Sequence, residues 1–247
     1  MNLIILTEAD SRGEFSYHLT DGRAEHIRVI LRSQPGDSVE VGLLDGPQGT
    51  AIIEKVTDNE VVLRCGQLAQ VPDPSPIVDL ICALPRPQTL KKVLLTSATM
   101  AVRRIHLIRA NRVEKSYFHS PLLQPENYTP FLIEGLSQGK HTRLPEVTIH
   151  DRFKPFFLDK LPELQREEKN TLCLSDPSAE SCFSDVYDRK TTSVGVAIGP
   201  EGGWVPFEID LMKDHGFQPF SLGRWVLRVE TAVAGVLSQL EMVRMMG

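Results

Sequence analysis

Three stretches carry residue types from which a ligand site could be built. The first is Ile198-Gly199-Pro200-Glu201-Gly202-Gly203, which follows the apolar run VGVAI. Its glycines allow positive φ and close approach of a ligand to the backbone, and Pro200 stiffens the turn. A tight strand-to-helix connection would use the same residues, and the spacing is not the GxGxxG of a nicotinamide or flavin fold. The second, Leu222-Gly223-Arg224-Trp225-Val226-Leu227-Arg228-Val229-Glu230-Thr231-Ala232, leads into the last helix and sets Arg228 and Glu230 two apart, where Glu230 or Thr231 equally suits a helix cap. The third is Ala83-Leu84-Pro85-Arg86, at the end of another apolar run. In open α/β sheets, ligands bind beyond such strand ends. Other chemistry is sparse: HExxH and a Walker loop are absent, no Ser-His-Asp set can be assigned, and seven histidines show no metal-ligand spacing. No metal is expected, and a histidine such as His106, inside an apolar strand, reads as a core residue. Cys65, Cys82, Cys173 and Cys182 form no CxxC pair and read as reduced packing residues.

The elements that must position these loops fall into two domains, residues 1–72 and 73–247. The first reads as a small β-barrel: IRVILR, SVEVGLL, TAIIEKV and VVLRC alternate apolar and polar residues between QPGD, DGPQG and TDNE turns. VPDPSP (71–76) is a stiff linker. Beyond it the period changes. VDLICAL (78–84), IHLI (105–108), TLCLS (171–175), VGVAIG (194–199) and FQPFSLG (217–223) read as strands. QTLKKVLLTSATMAV (88–102), PFLIEGLSQ (130–138), PFEIDLMKDHG (206–216) and TAVAGVLSQLEMVRMM (231–246) have helical spacing. Such alternation predicts a mainly parallel sheet covered by helices.

The 247 residues carry a net charge of −5, unevenly spread. Residues 1–72 hold 6 basic and 11 acidic side chains, whereas residues 86–154 hold 12 basic and 5 acidic. This basic middle suits phosphate contact, or simply a solvated helix face. The apolar runs fall short of the ~20 residues needed to span a bilayer, and the N-terminus has no basic export signal, so a cytoplasmic protein is expected.

IGPEGG (198–203) followed by LGxxVLRxETA (222–232) resembles the paired C-terminal signature of the 16S ribosomal RNA uridine-N3 methyltransferase (RsmE) family. HIRVILRSQPGDSVEV (26–41) is similar to that family's approach to a PUA-like RNA-binding domain, and EGLSQGKHTRLPEV (134–147) to its mid-domain segment, so the likeness covers nearly the whole chain. It implies a PUA-like barrel joined to a SPOUT α/β domain with a deep trefoil knot. It also implies a homodimer formed through the knotted domain, and ribosomal RNA or the small ribosomal subunit as partner. S-adenosylmethionine would be held by loops carrying Leu84, Ile198, Gly199, Pro200, Gly202, Gly203, Leu222, Gly223 and Leu227.

Uracil N3 must lose a proton for methylation, so a group that accepts it or stabilises the developing anion is expected. Arg228 suits anion stabilisation, with Glu201 and Glu230 for a proton-accepting or orienting role. Arg23, Arg28, Arg32, Arg86, Arg112, Lys115 and Arg143 are the expected RNA contacts. The chain departs from the family at Thr96-Ser97-Ala98-Thr99-Met100-Ala101-Val102, where Lys, Glu and Gly are missing, and at Trp225, where Arg is common. Two alternatives stay open: a catalytically silent knotted RNA-binding protein, and a methyltransferase of the same fold acting on another nucleotide.

Overall fold

The computed structural model describes residues 2–71, 75–162 and 170–246, so residues 72–74 of the expected linker lie outside the described residues. The chain forms two compact units, one of residues 1–72 with 136–144 and the other of residues 73–135 with 145–247. Strands β1 (Ile4–Leu6), β2 (Ser16–Leu19), β3 (Ser38–Leu43), β4 (Gln48–Val56) and β5 (Val61–Ala69) build the first unit as one curled sheet, in the order β1-β3-β4-β5-β2. The β1–β3 pair is parallel and the others antiparallel. Every second residue of β4 and β5 turns inward, so that Ile53, Leu63, Val41 and Leu19 close the core around Ile27.

The IRVILR segment is helical, which corrects the strand expected from its β-branched residues. Helix α1 (Gly22–Glu25) is capped by Asp21, which accepts from the Arg23 amide at 3.0 Å, and it continues as a wide turn over His26–Leu31. Ala24 and Ile27, three apart, face the core, while Ile30 is 66% exposed. The Asp-Gly cap and the i, i+3 burial outweigh strand propensity here. Residues 136–144 strap the edge of this unit: the Leu3 amide donates to Ser137 O at 2.9 Å, and the Thr142 hydroxyl to Gly46 O at 2.6 Å.

In the second unit, β6 (Ile77–Ala83), β7 (Arg104–Ile108), β8 (Glu146–His150), β9 (Asn170–Ser175), β10 (Ser193–Ile198) and β11 (Gln218–Phe220) form a wholly parallel sheet, ordered β11-β9-β10-β6-β7-β8. Helices α2 (Pro87–Thr99), α3 (Pro125–Gly139) as far as Gly135, α4 (Pro206–Asp214) and α5 (Val229–Met245) belong to it. Helix α3 is longer than the spacing suggests, because Pro125 begins it a turn and a half before Pro130. Strand β8 was not apparent from the sequence, since EVTIH is only partly buried. Gly135 brings α3 against α2, where a Cβ would stand 2.5 Å from Leu95 O. The four cysteines are free, and burial pushes the Cys82 and Cys173 thiols up to about 12.

His106 is a core residue, as its apolar strand implies. Its Nδ1 shares a 2.7 Å hydrogen bond with Thr148 Oγ1, and its ring packs against His150 and Phe156. Burial, reinforced by His150 and Arg104, pushes its pKa down from 6.5 to about 3. Below pH 6.5 the unfolded chain therefore takes up a proton that the folded chain refuses, and stability falls with falling pH until about pH 3. From pH 7 to pH 5 this group alone should remove about 2 kcal/mol. Urea unfolding of His106→Leu should show a pH slope flatter by that amount than the parent, whatever the variant's own stability.

Candidate active site

Strand β10 is buried along its whole length, so its residues are apolar or small and its neighbours lie on both sides. Parallel register sets Ile198 beside Cys82 and Ala197 beside Leu174, while Phe220 of β11 stands beside Ser175 of β9. Consequently the loops after β9, β10 and β11 leave the sheet from one edge. They enclose a cleft of about 190 Å³, whose walls are Ser175–Pro177, Ile198–Glu201 with Gly203 and Trp204, and Ser221–Leu227 without Arg224; Ile209 of α4 and Val229 and Ala232 of α5 complete them.

The glycines of this cleft have specific reasons. A Cβ on Gly199 would lie 3.1–3.3 Å from the Trp204 indole, so the ring closes directly over the strand end. Gly203 has φ +74 and Gly223 φ +128, conformations that L side chains rarely adopt. A Cβ on Gly202 would press on Arg112 Cδ at 3.1 Å, and the Arg112 guanidinium donates to the Gly202 carbonyl. Trp204 is itself buried, yet its Nε1 has no hydrogen-bond partner in the protein. The ring lines the cleft, while its N–H lies against Gly199 with almost no exposed surface.

A carboxylate fixes the loop. Glu208, 2% exposed at the start of α4, accepts from the Val205 amide at 3.0 Å and from the Asn111 amide at 2.6 Å. It thereby ties the end of the glycine loop to the loop after β7.

Of the expected cofactor residues, Ile198, Gly199, Pro200, Gly203, Leu222, Gly223 and Leu227 line the cleft. Leu84 and Gly202 do not. The Leu84 amide donates to Ile108 O within the sheet, and Gly202 faces Arg112. Glu201 lines the cleft, is exposed, and accepts a long 3.5 Å bond from the Arg86 amide. Arg228 is exposed at the N-cap of α5, between the lining residues Leu227 and Val229. Glu230 is elsewhere: it faces a separate groove with Lys91, Lys92 and Phe131, and pairs with Lys92 Nζ at 3.3 Å. A hydrogen bond from its own amide, then Lys92, holds its carboxyl below the usual range.

Trp204 and the Ser175–Pro177 loop were missed by the sequence reading, although the rule that points beyond strand ends applies to TLCLS as well as to VGVAI. Arg23 is not a free phosphate ligand. Its guanidinium donates to Asp10 at 2.7 and 2.8 Å, to Asp21 at 2.7 and 3.0 Å, and to Ile5 O at 2.6 Å; despite burial, these bonds hold its pKa above the usual range. Arg28 bonds to the Asp58 carbonyl, whereas Arg32, Arg86 and Arg143 are exposed.

Removing the Glu208 carboxylate would leave two backbone N–H groups without their acceptor. Glu208→Ala should therefore cost about 2–6 kcal/mol, since each buried unsatisfied group costs about 1–3 kcal/mol. Glu208→Gln, which keeps one oxygen, should cost less, and urea unfolding measures both.

A family model described as an RNA methyltransferase domain matches residues 72–241. Ribosomal RNA small subunit methyltransferase E from Treponema pallidum is 28% identical, over 94% of this chain and 87% of that protein. Ribosomal RNA small subunit methyltransferase E 1 from Borreliella burgdorferi is 26% identical over 99% and 100%. A Legionella pneumophila putative methyltransferase, solved in complex with S-adenosylmethionine, has a TM-score of 0.73 and 26% identity, covering 98% of each chain. A Neisseria gonorrhoeae ribosomal RNA small subunit methyltransferase E has a TM-score of 0.75 at 20% identity over 98% of each, a likeness of fold. With most of its length matched by that model, the chain belongs to the RNA methyltransferase domain family.

Proposed function

We propose that this protein is an S-adenosylmethionine-dependent methyltransferase that modifies uridine N3 in 16S ribosomal RNA. The observation that carries the reading is the cleft itself: a glycine strand end closed by Trp204, in a chain similar throughout to a protein solved with S-adenosylmethionine. The apolar walls suit an adenine ring, and the backbone edges of three loops suit its hydrogen-bonding groups. Ile198, Gly199, Gly203, Leu222, Gly223 and Leu227 would hold the cofactor, with the Trp204 ring closing one wall. When bound, this cofactor supplies a methyl group on a sulfonium centre, ready for in-line displacement.

The protein's own residues handle the acceptor. Uracil N3 becomes nucleophilic as its proton leaves, and the negative charge spreads onto the flanking carbonyl oxygens. Arg228, exposed between the lining residues Leu227 and Val229, stabilises that charge. Glu201, the exposed carboxylate in the cleft wall, receives or orients the proton. Glu230 lies outside the cleft, bonded to its own amide and paired with Lys92, so its role is to position the first turn of α5 and hence Arg228.

The same reading takes the first unit as a PUA-like RNA-binding domain contacting RNA through Arg28, Arg32 and Arg143, with Arg86, Arg112 and Lys115 contributing from the second. It includes the deep trefoil knot and a cytoplasmic homodimer formed through the second domain. Exposed Trp225, Val226, Met242 and Met245 supply apolar surface for that contact. Among the described residues, no helix is long and apolar enough to cross a membrane.

Incubation with methyl-labelled S-adenosylmethionine and small subunits from a strain lacking this gene should place label on one uridine of 16S RNA, identified as 3-methyluridine. Arg228→Ala should retain cofactor binding and lose about 10²-fold or more in turnover. Wild-type turnover in that variant would remove Arg228 from the mechanism, and cofactor binding without any transfer by the parent would identify a catalytically silent RNA-binding protein.

A further inference from the structure

The loops after β7 and β8, with the start of α4, border a second hollow of about 710 Å³, of whose lining the reading above uses only Lys115. Arg109, Lys115, Arg152 and Lys154 stand around it, against Asp151 and the buried Glu208, whose carboxylate is already taken by two amides. This surface is thus positive in a chain of net charge −5. It also carries an aromatic ring that the core does not bury: Phe207 is 48% exposed, and Lys154 Nζ lies 4.7 Å from its centroid. The hollow adjoins the cleft, because Phe153 in its wall lies 6.0 Å, centroid to centroid, from Trp204.

We propose that this groove binds single-stranded RNA flanking the target nucleotide, with phosphates on Arg109, Lys115, Arg152 and Lys154 and a base against Phe207. A nucleotide offers a phosphate and a π-face within one residue, which matches a cation and an exposed ring held together. An acidic peptide would use the charges and leave the ring idle. The ends of β7 and β8 share one edge of the parallel sheet with the strand ends that form the cleft, with β6 between them, so RNA seated there approaches the methylation site along that edge. The groove deepens the methyltransferase reading and rests on it for the identity of the RNA.

The test is fluorescence anisotropy of a short labelled oligouridylate across a range of KCl concentrations, with S-adenosylmethionine affinity measured on every variant as a check of folding. Arg152→Ala/Lys154→Ala should weaken RNA binding about tenfold at low salt and reduce the log–log salt slope by about 1.4, the amount for two phosphate contacts on a single strand. Phe207→Ala should weaken binding about fivefold or more at unchanged slope, and Phe207→Trp should not. Parental affinity and slope in the double variant would overturn the groove, as would displacement of the RNA by polyglutamate as effective as by unlabelled oligouridylate. These results are distinguishable from failure of the wider reading. A parent that binds RNA through these residues but transfers no methyl group sinks the activity and leaves the groove, whereas a parent that methylates RNA, alongside variants that bind it equally well, sinks the groove alone.

Discussion

A strand buried on both faces has to shed its polar neighbours at its ends, and the position of β10 decides where the chemistry of this protein collects. Because β9 and β6 pair with it in parallel, and β11 pairs in parallel with β9, their last residues form one edge. The backbone groups that leave the ladder at that edge need partners from loops or ligands. The glycine loop can turn back sharply there because Gly199 and Gly203 have no side chains, and Trp204 then folds over the strand end. Each later feature of the site inherits this geometry. The cleft is the space between three such loops, Arg228 stands where the third becomes a helix, and the basic groove lies along the continuation of the same edge.

Two ionic devices keep the edge in place by different means. Glu208 is buried and satisfied by two amides, so it holds the glycine loop and the loop after β7 in one arrangement. Arg112 reinforces that tie from the outside through the Gly202 carbonyl. Lys92 and Glu230 act at a more open position, where solvent weakens the attraction between charges, and their effect is on the start of α5. The rigid tie belongs to the loop over the strand end, and the softer one to the helix that presents Arg228.

The strands of the second unit were legible because parallel strands buried on both faces are continuous apolar runs, and VDLICAL and VGVAIG are unmistakable in that sense. The loops after them were legible through their glycines, and seven of the nine cofactor residues expected from the resemblance line the cleft. IRVILR misled because its β-branched residues argue for a strand, whereas its fold is decided upstream, by Asp21 and Gly22, and by the i, i+3 burial of Ala24 and Ile27. Glu230 misled because two residues of spacing in a loop say nothing about direction: at the first turn of a helix it points away from Leu227. Trp204 gave no signal of its own, since its role comes from a contact with a glycine whose importance is visible only in three dimensions. The ten-residue spread of Arg23, Arg28 and Arg32 likewise could not reveal that Asp10 and Asp21 had already claimed the first of them.

The central claim, that this cleft holds S-adenosylmethionine, has a built-in reporter. The chain has two tryptophans, Trp204 and Trp225, and both line the cleft. Titration of S-adenosylmethionine while following intrinsic tryptophan emission should give a saturable change that Trp204→Phe diminishes and that NAD does not reproduce. Emission that stays constant while the folded parent is titrated into the millimolar range, or that responds equally to NAD, would contradict the assignment.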